Sequence, residues 1–135
     1  MSYKSSWHHY IPEFLIKGFT NEVGRVFLYD PERDQILIKE RPTKSVFWEK
    51  DRNTIKIGEF KTSIIEESTY QPIDNRGSEA VNFLRNVNLK DGEIPISHVY
   101  NLDIFLLNLF WRIPKSDKVY DLIYDILNHD LPEKE

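Results

Sequence analysis

Residues 102–114 read LDIFLLNLFWRIP. Leu102, Phe105, Leu106, Leu109, Phe110 and Ile113 recur at helical spacing and form one stripe. Ile104, Leu107 and Trp111 make a second apolar face. A helix apolar on nearly all sides belongs in a core, so this segment is expected to be the central helix, with Phe110 and Trp111 largely buried. Ser97 is placed to cap its start, and Pro114 lies just past its end. Asp103, Asn108 and Arg112 break the run, which falls short of the roughly 20 residues of a membrane span. Asn101 lies one heptad before Asn108, and Arg112 lies four after it. They draw a polar line along an apolar helix. A buried guanidinium requires a partner. An internal ion pair to Asp30, Glu66 or Asp103 and a clamp for a bound phosphate both satisfy that need.

Working outward, Ser116 is placed to cap a last helix. Its buried stripe would be Val119, Leu122, Ile123, Ile126 and Leu127, with Asp117, Asp121 and Asp125 on the solvated face. Upstream, Ser63-x-x-Glu66 has capping-box spacing, and the helix it opens should stop at Pro72. Ser78 then caps a helix carrying Ala80, Phe83, Leu84 and Val87. Before residue 60 the period changes. Arg25–Asp30 and Gln35–Lys39 are β-branched and aromatic runs joined by Asp30-Pro31-Glu32-Arg33, a type I turn pattern. Neither run alternates cleanly, so both faces of this hairpin should be partly covered. Residues 45–48 and 54–57 add short strands. Pro12 through Lys17 reads as a short helix, with Phe14, Leu15 and Phe19 turned inward and Gly18 as its left-handed terminator. Strands first and helices after is an α+β order. The expected architecture is a single domain over residues 1–135. A short N-terminal helix and a β-hairpin or small antiparallel sheet (1–60) pack against about four helices (61–135).

Composition narrows the chemistry. The 135 residues are 40% hydrophobic and 30% charged, an ordinary globular balance. The absence of cysteine excludes a disulfide framework, a thiolate nucleophile and cysteine-ligated zinc, and it fits a cytoplasmic protein. The opening MSYKSSWHHYIPEF shows no apolar leader segment. Net charge is −4, made of +1 over residues 1–60 and −5 over 61–135. That balance argues against broad electrostatic binding of nucleic acid. Lys39, Arg41, Lys44, Lys50 and Arg52 form a local basic stretch that leaves the possibility open. There is no glycine-rich phosphate loop, nucleophile elbow or His-x-x-x-His helix.

The conspicuous residues are His8 and His9. Neighbours point to opposite faces of a strand, so one metal ion cannot readily take both. At most one would act as base or ligand, while the other anchors backbone by a hydrogen bond. Glu66 reads as a helix cap or as a carboxylate for chemistry. Trp7, Phe47 and Trp48 are aromatics suited to a partner surface.

The block His8-His9-Tyr10-Ile11-Pro12-Glu13-Phe14, closing on Phe19, resembles the opening of a bacterial family known as domain of unknown function family 4238. Also in order are a hairpin like Arg25–Asp30, Arg41-Pro42, Ile65-Glu66 and the helix end Arg112-Ile113-Pro114. Asp51-Arg52-Asn53-Thr54 stands where the family has an aspartate-aromatic-tyrosine block, and Glu13 stands where it has glutamine. The resemblance implies a bacterial or phage-encoded protein. It also implies that members continue past the Arg-x-Pro block, so this chain is a short member or a piece of a longer one.

Two functional expectations follow. The favoured one is a soluble, non-catalytic interaction module that binds a protein partner or a second copy, with no membrane and no cofactor. The alternative is a metal-assisted hydrolase or nuclease of defence or toxin biology. There His8 or His9 serves as base or ligand, Glu13 or Glu66 as carboxylate and Arg112 as phosphate clamp, and only there is a divalent metal needed.

Overall fold

The computed structural model describes residues 7–87 and 92–129, so residues 1–6 of the leader reading lie outside it. The chain is α+β, as the order of its elements implies. Among the described residues the strands form four separate two-stranded antiparallel ladders. β1 (Trp7–His9) pairs with β6 (Trp48–Lys50), and β2 (Arg25–Val26) with β5 (Arg41–Pro42). β3 (Tyr29–Asp30) pairs with β4 (Gln35–Ile36), and β7 (Ile55–Ile57) with β8 (Phe60–Thr62). No strand was expected at Phe60–Thr62. It turns back through Gly58, whose φ of +58° suits glycine.

The hairpin turn forms where Asp30-Pro31 predicts it. Asp30 Oδ1 accepts from the backbone N–H groups of Glu32 at 3.0 Å and Arg33 at 3.3 Å. The strands alternate after all. Val26 is buried and Leu28 packs on it, while Phe27, Tyr29, Ile36 and Ile38 face solvent. One face of the hairpin is therefore open, not covered.

α1 (Glu13–Ile16) runs on into a 3-10 turn over Lys17–Phe19. Gly18 does not have positive φ, which overturns its reading as a left-handed terminator. A Cβ there would meet only the mobile end of the exposed Arg85 side chain, so nothing in the structure requires glycine at this position. Phe19 points out, 81% exposed, and Ile16 takes the buried place instead. Phe14 rests against Phe105, with ring centroids 5.3 Å apart.

Pro72 does not stop its helix. The chain is helical from Ile64, passes through a π-turn at Glu66–Tyr70 and continues as α2 (Gln71–Asn86). In the π-turn the Gln71 N–H reaches back five residues to the Glu66 carbonyl. The wider turn accommodates Pro72, whose ring would otherwise break the ladder. The first two of the four expected C-terminal helices are thus one, and Ser78 lies inside it, not at a cap. α3 (Ile96–Arg112) begins after Pro95, so Ser97 is within its first turn. Ser116 sits in a 3-10 turn (Pro114–Ser116) and donates to the Phe110 carbonyl at 2.5 Å, without capping α4 (Asp117–His129).

The buried core is small. Ile16, Val26 and Val46 form one cluster, and Ala80 and Phe105 lie between α2 and α3. α3 is not surrounded. Its inward arc carries His98, Asn101, Leu102, Phe105, Asn108, Leu109 and Arg112. Its outward arc carries Ile96, Val99, Tyr100, Leu106, Leu107, Phe110 and Trp111, with Asp103 among them. Trp111 is 42% exposed and Phe110 47%, against the expectation that both would be buried. The stripe of α4 expected to be buried is exposed along its whole length.

α2 and α3 meet at Gly77. A Cβ there would overlap the Phe105 ring. Gly77→Ala should therefore destabilise the domain. Overpacking costs about 1–3 kcal/mol, and here the upper end applies because two ring atoms and the Cβ of the buried Phe105 would be met. The helix-propensity gain from alanine offsets only about 1 kcal/mol. A thermal melt of the variant checks the sign.

Candidate functional site

The period of a strand separates the two histidines. In the β1–β6 ribbon Trp7 faces Lys50, His8 faces Glu49 and His9 faces Trp48. Trp7, His9, Trp48 and Lys50 therefore share one face, and His8 and Glu49 the other.

The His8 face looks into the fold, where His8 is 4% exposed. Its Nδ1 accepts from the buried Asn53 N–H at 2.9 Å, which is the anchoring role. The Asn53 side chain donates to Glu66 Oε2 at 2.7 Å. Glu66 is thus not the cap that its spacing from Ser63 suggests. Ser63 bonds Glu67 instead, at 2.7 Å. Glu66, Tyr70 and Asp74 are spaced four apart on this continuous helix and all reach the same side. There the Arg112 guanidinium, buried to 3% exposure, donates to Asp74 Oδ1 at 2.6 Å and to the His9 carbonyl at 2.8 Å. It also lies over the Tyr70 ring, 4.5 Å from the centroid. The partner is Asp74, not Asp30, Glu66 or Asp103. Burial pushes the Asp74 carboxyl above the usual range, and the charge of Glu66 adds to this against the opposing pull of Arg112. Asn108 Oδ1 has no partner among the described residues.

A second cluster joins this one to α4. Arg52 donates through Nε to the Arg112 carbonyl at 3.0 Å and pairs with Glu49 at 2.8 Å. It also pairs with Asp117 at 2.7 Å. Arg52 is thereby removed from the basic stretch.

The other face of the ribbon opens to solvent. Trp7, His9, Glu13, Lys44, Ser45 and Trp48 line a cavity of about 480 Å³. Glu13 Oε1 accepts from Thr43 Oγ1 at 2.9 Å and lies 3.6 Å from Lys17 Nζ. The Thr43 hydrogen bond, helped by nearby Lys17, Lys44 and His9, holds the Glu13 carboxyl below its ordinary range despite its desolvation. Phe47 does not join Trp7 and Trp48. Its φ of +57° turns it toward Tyr10, and it lines a larger apolar cavity of about 860 Å³ beneath the hairpin. No group of three or more His, Cys, Asp or Glu among the described residues is disposed to hold a metal ion.

His8, Glu66 and Arg112 thus converge on one hydrogen-bonded network, with His8 and Arg112 buried and Glu66 half-buried. His9 and two of the three aromatics converge on an open cavity. Asn53, Asp74 and Tyr70 were missed. Asn53 sits in a tight turn after Asp51, whose φ is +56°, and that turn was the one visible signal.

An α+β domain whose His-His strand is pinned by a buried Arg–Asp pair is the class these features define. The chain belongs to the family described as protein of unknown function (DUF4238), whose profile matches residues 7–132. No match is found among curated proteins or among solved structures. No helix among the described residues is long and apolar enough to cross a membrane.

The two histidines should separate in a melt. His8→Ala leaves the buried Asn53 N–H without its acceptor, a loss of about 1–3 kcal/mol. His9→Ala should cost clearly less, because His9 Nε2 has no partner among the described residues. Arg112→Ala should cost about 3–5 kcal/mol, since it strands a buried carboxylate. Chemical denaturation of the three variants orders them.

Proposed function

We propose that this domain is a non-catalytic interaction module whose docking surface is the outward arc of α3, continued onto α4. One observation carries the reading: α3 buries its polar line and turns seven apolar side chains to solvent. A contiguous exposed apolar patch marks an interaction surface. The apolar stripe of α4, from Val119 to Leu127, is uncovered as well. The partner is a protein surface or a second copy.

The test replaces Leu107 and Trp111 together with glutamate. Both side chains are exposed, so the melting temperature should stay close to that of the parent. The parent should either associate above 16.1 kDa in light scattering or bind an apolar dye as a monomer. The double variant should lose that behaviour. A parent that neither associates nor binds dye, or a variant that unfolds, overturns the reading.

A further inference from the structure

The open face of the β1–β6 ribbon has a different character from the helical surface. Trp7 is 61% exposed and meets Trp48 edge to face, at an interplanar angle of 81°. More than half of the Trp7 surface is therefore open to a flat ligand. Base-on-aromatic stacking requires a platform of this kind. The cavity beside it, about 480 Å³, falls within the range of small-ligand pockets.

Its polar groups limit what can stack there. Glu13 is only an acceptor while ionised, and Thr43 and Lys17 hold it in place. It therefore selects a ring edge that offers donors. Guanine presents N1–H and the N2 amino group side by side, which a carboxylate can take together. Adenine, cytosine and uracil each present one donor group beside an acceptor. His9 also lines the cavity.

Charge decides between two chemistries that aromatic walls and a carboxylate could otherwise serve. An aliphatic quaternary cation would suit the tryptophans and Glu13 alone. Lys44 lines the cavity, Lys50 stands opposite Trp7 in register, and Lys17 lies beside Glu13. Neither Lys44 nor Lys50 is in an ion pair among the described residues. The surroundings are net positive, which repels a cation and favours a phosphate.

We propose that the Trp7–His9–Glu13–Lys44–Trp48 cavity binds guanine carrying a phosphate. The base stacks on Trp7, its donor edge meets Glu13, and the phosphate meets Lys44 and Lys50. The same chemistry comes from a free nucleotide or from single-stranded nucleic acid.

Calorimetric titration of the full chain with GMP, AMP, inorganic phosphate and trimethyllysine tests it. GMP should bind at least about tenfold more tightly than AMP. Trp7→Ala should weaken GMP at least about tenfold, in line with the usual worth of base stacking, with the melting temperature retained because Trp7 is exposed. Glu13→Gln, which keeps an acceptor for Thr43, should abolish the preference for GMP over AMP while AMP binding stays unchanged. Lys44→Ala should weaken GMP but not guanosine. A guanine-containing tetranucleotide that binds more than about tenfold more tightly than GMP assigns the site to a single strand, and equal binding assigns it to the free nucleotide. The proposal is overturned if millimolar GMP gives no binding, if phosphate alone matches GMP, or if trimethyllysine binds more tightly. It is also overturned if Trp7→Ala binds GMP as the parent does.

Discussion

The buried guanidinium of Arg112 is the joint on which the arrangement depends. It touches α2 through Asp74, the π-turn through Tyr70 and β1 through the His9 carbonyl. Its own carbonyl receives Arg52, which in turn holds Asp117 at the start of α4. Burying an ion costs several kcal/mol unless its partners are well placed. The terminal nitrogens are satisfied, and only Nε lacks a partner among the described residues. Desolvation outweighs the attraction at Asp74, whose carboxyl is pushed up, not down. What the pair supplies is position: the backbone of β1, the face of α2 and the end of α3 must be in place before the charge is acceptable.

That constraint also orders the ribbon. With the His9 carbonyl held by Arg112 and His8 held by Asn53, β1 has one orientation. Trp7 and His9 then fall on the open face by the two-residue period alone. The buried network and the open cavity are two sides of one strand, and a fault in the first disturbs the second. The positive φ of Phe47 has a related effect at the entry to β6: it sends the Phe47 ring away from the tryptophans.

Much of this was legible in the sequence, and the failures have physical causes. The α+β order and the need of Arg112 for a partner could both be read. So could the incompatibility of His8 and His9 as a chelating pair. The partner itself could not, because a stop at Pro72 leaves Asp74 outside the helix that carries Glu66 and Tyr70. Pro72 reads as a stop unless that wider turn is foreseen. Ser63 and Glu66 have capping spacing, yet a tertiary acceptor site at Asn53 competes and wins. The inversion of α3 is the most instructive case. Periodicity shows that a face is apolar. It cannot show whether the cover for that face belongs to the same chain, so Phe110, Trp111 and the stripe of α4 were assigned to a core that the chain does not build around them.

The attachment of α4 has a consequence of its own. Every side chain from Asp117 to Asn128 is exposed, so its tie to the body includes charge, through the bidentate contact between Arg52 and Asp117. A partly exposed pair of this kind is worth about 0–1 kcal/mol and weakens as salt rises. A helix fastened so lightly acts as a lever on a soft spring. Raised ionic strength should loosen its hold, while the 3-10 turn at Pro114–Ser116 stays tied to α3 through the buried Ser116 hydroxyl on the Phe110 carbonyl.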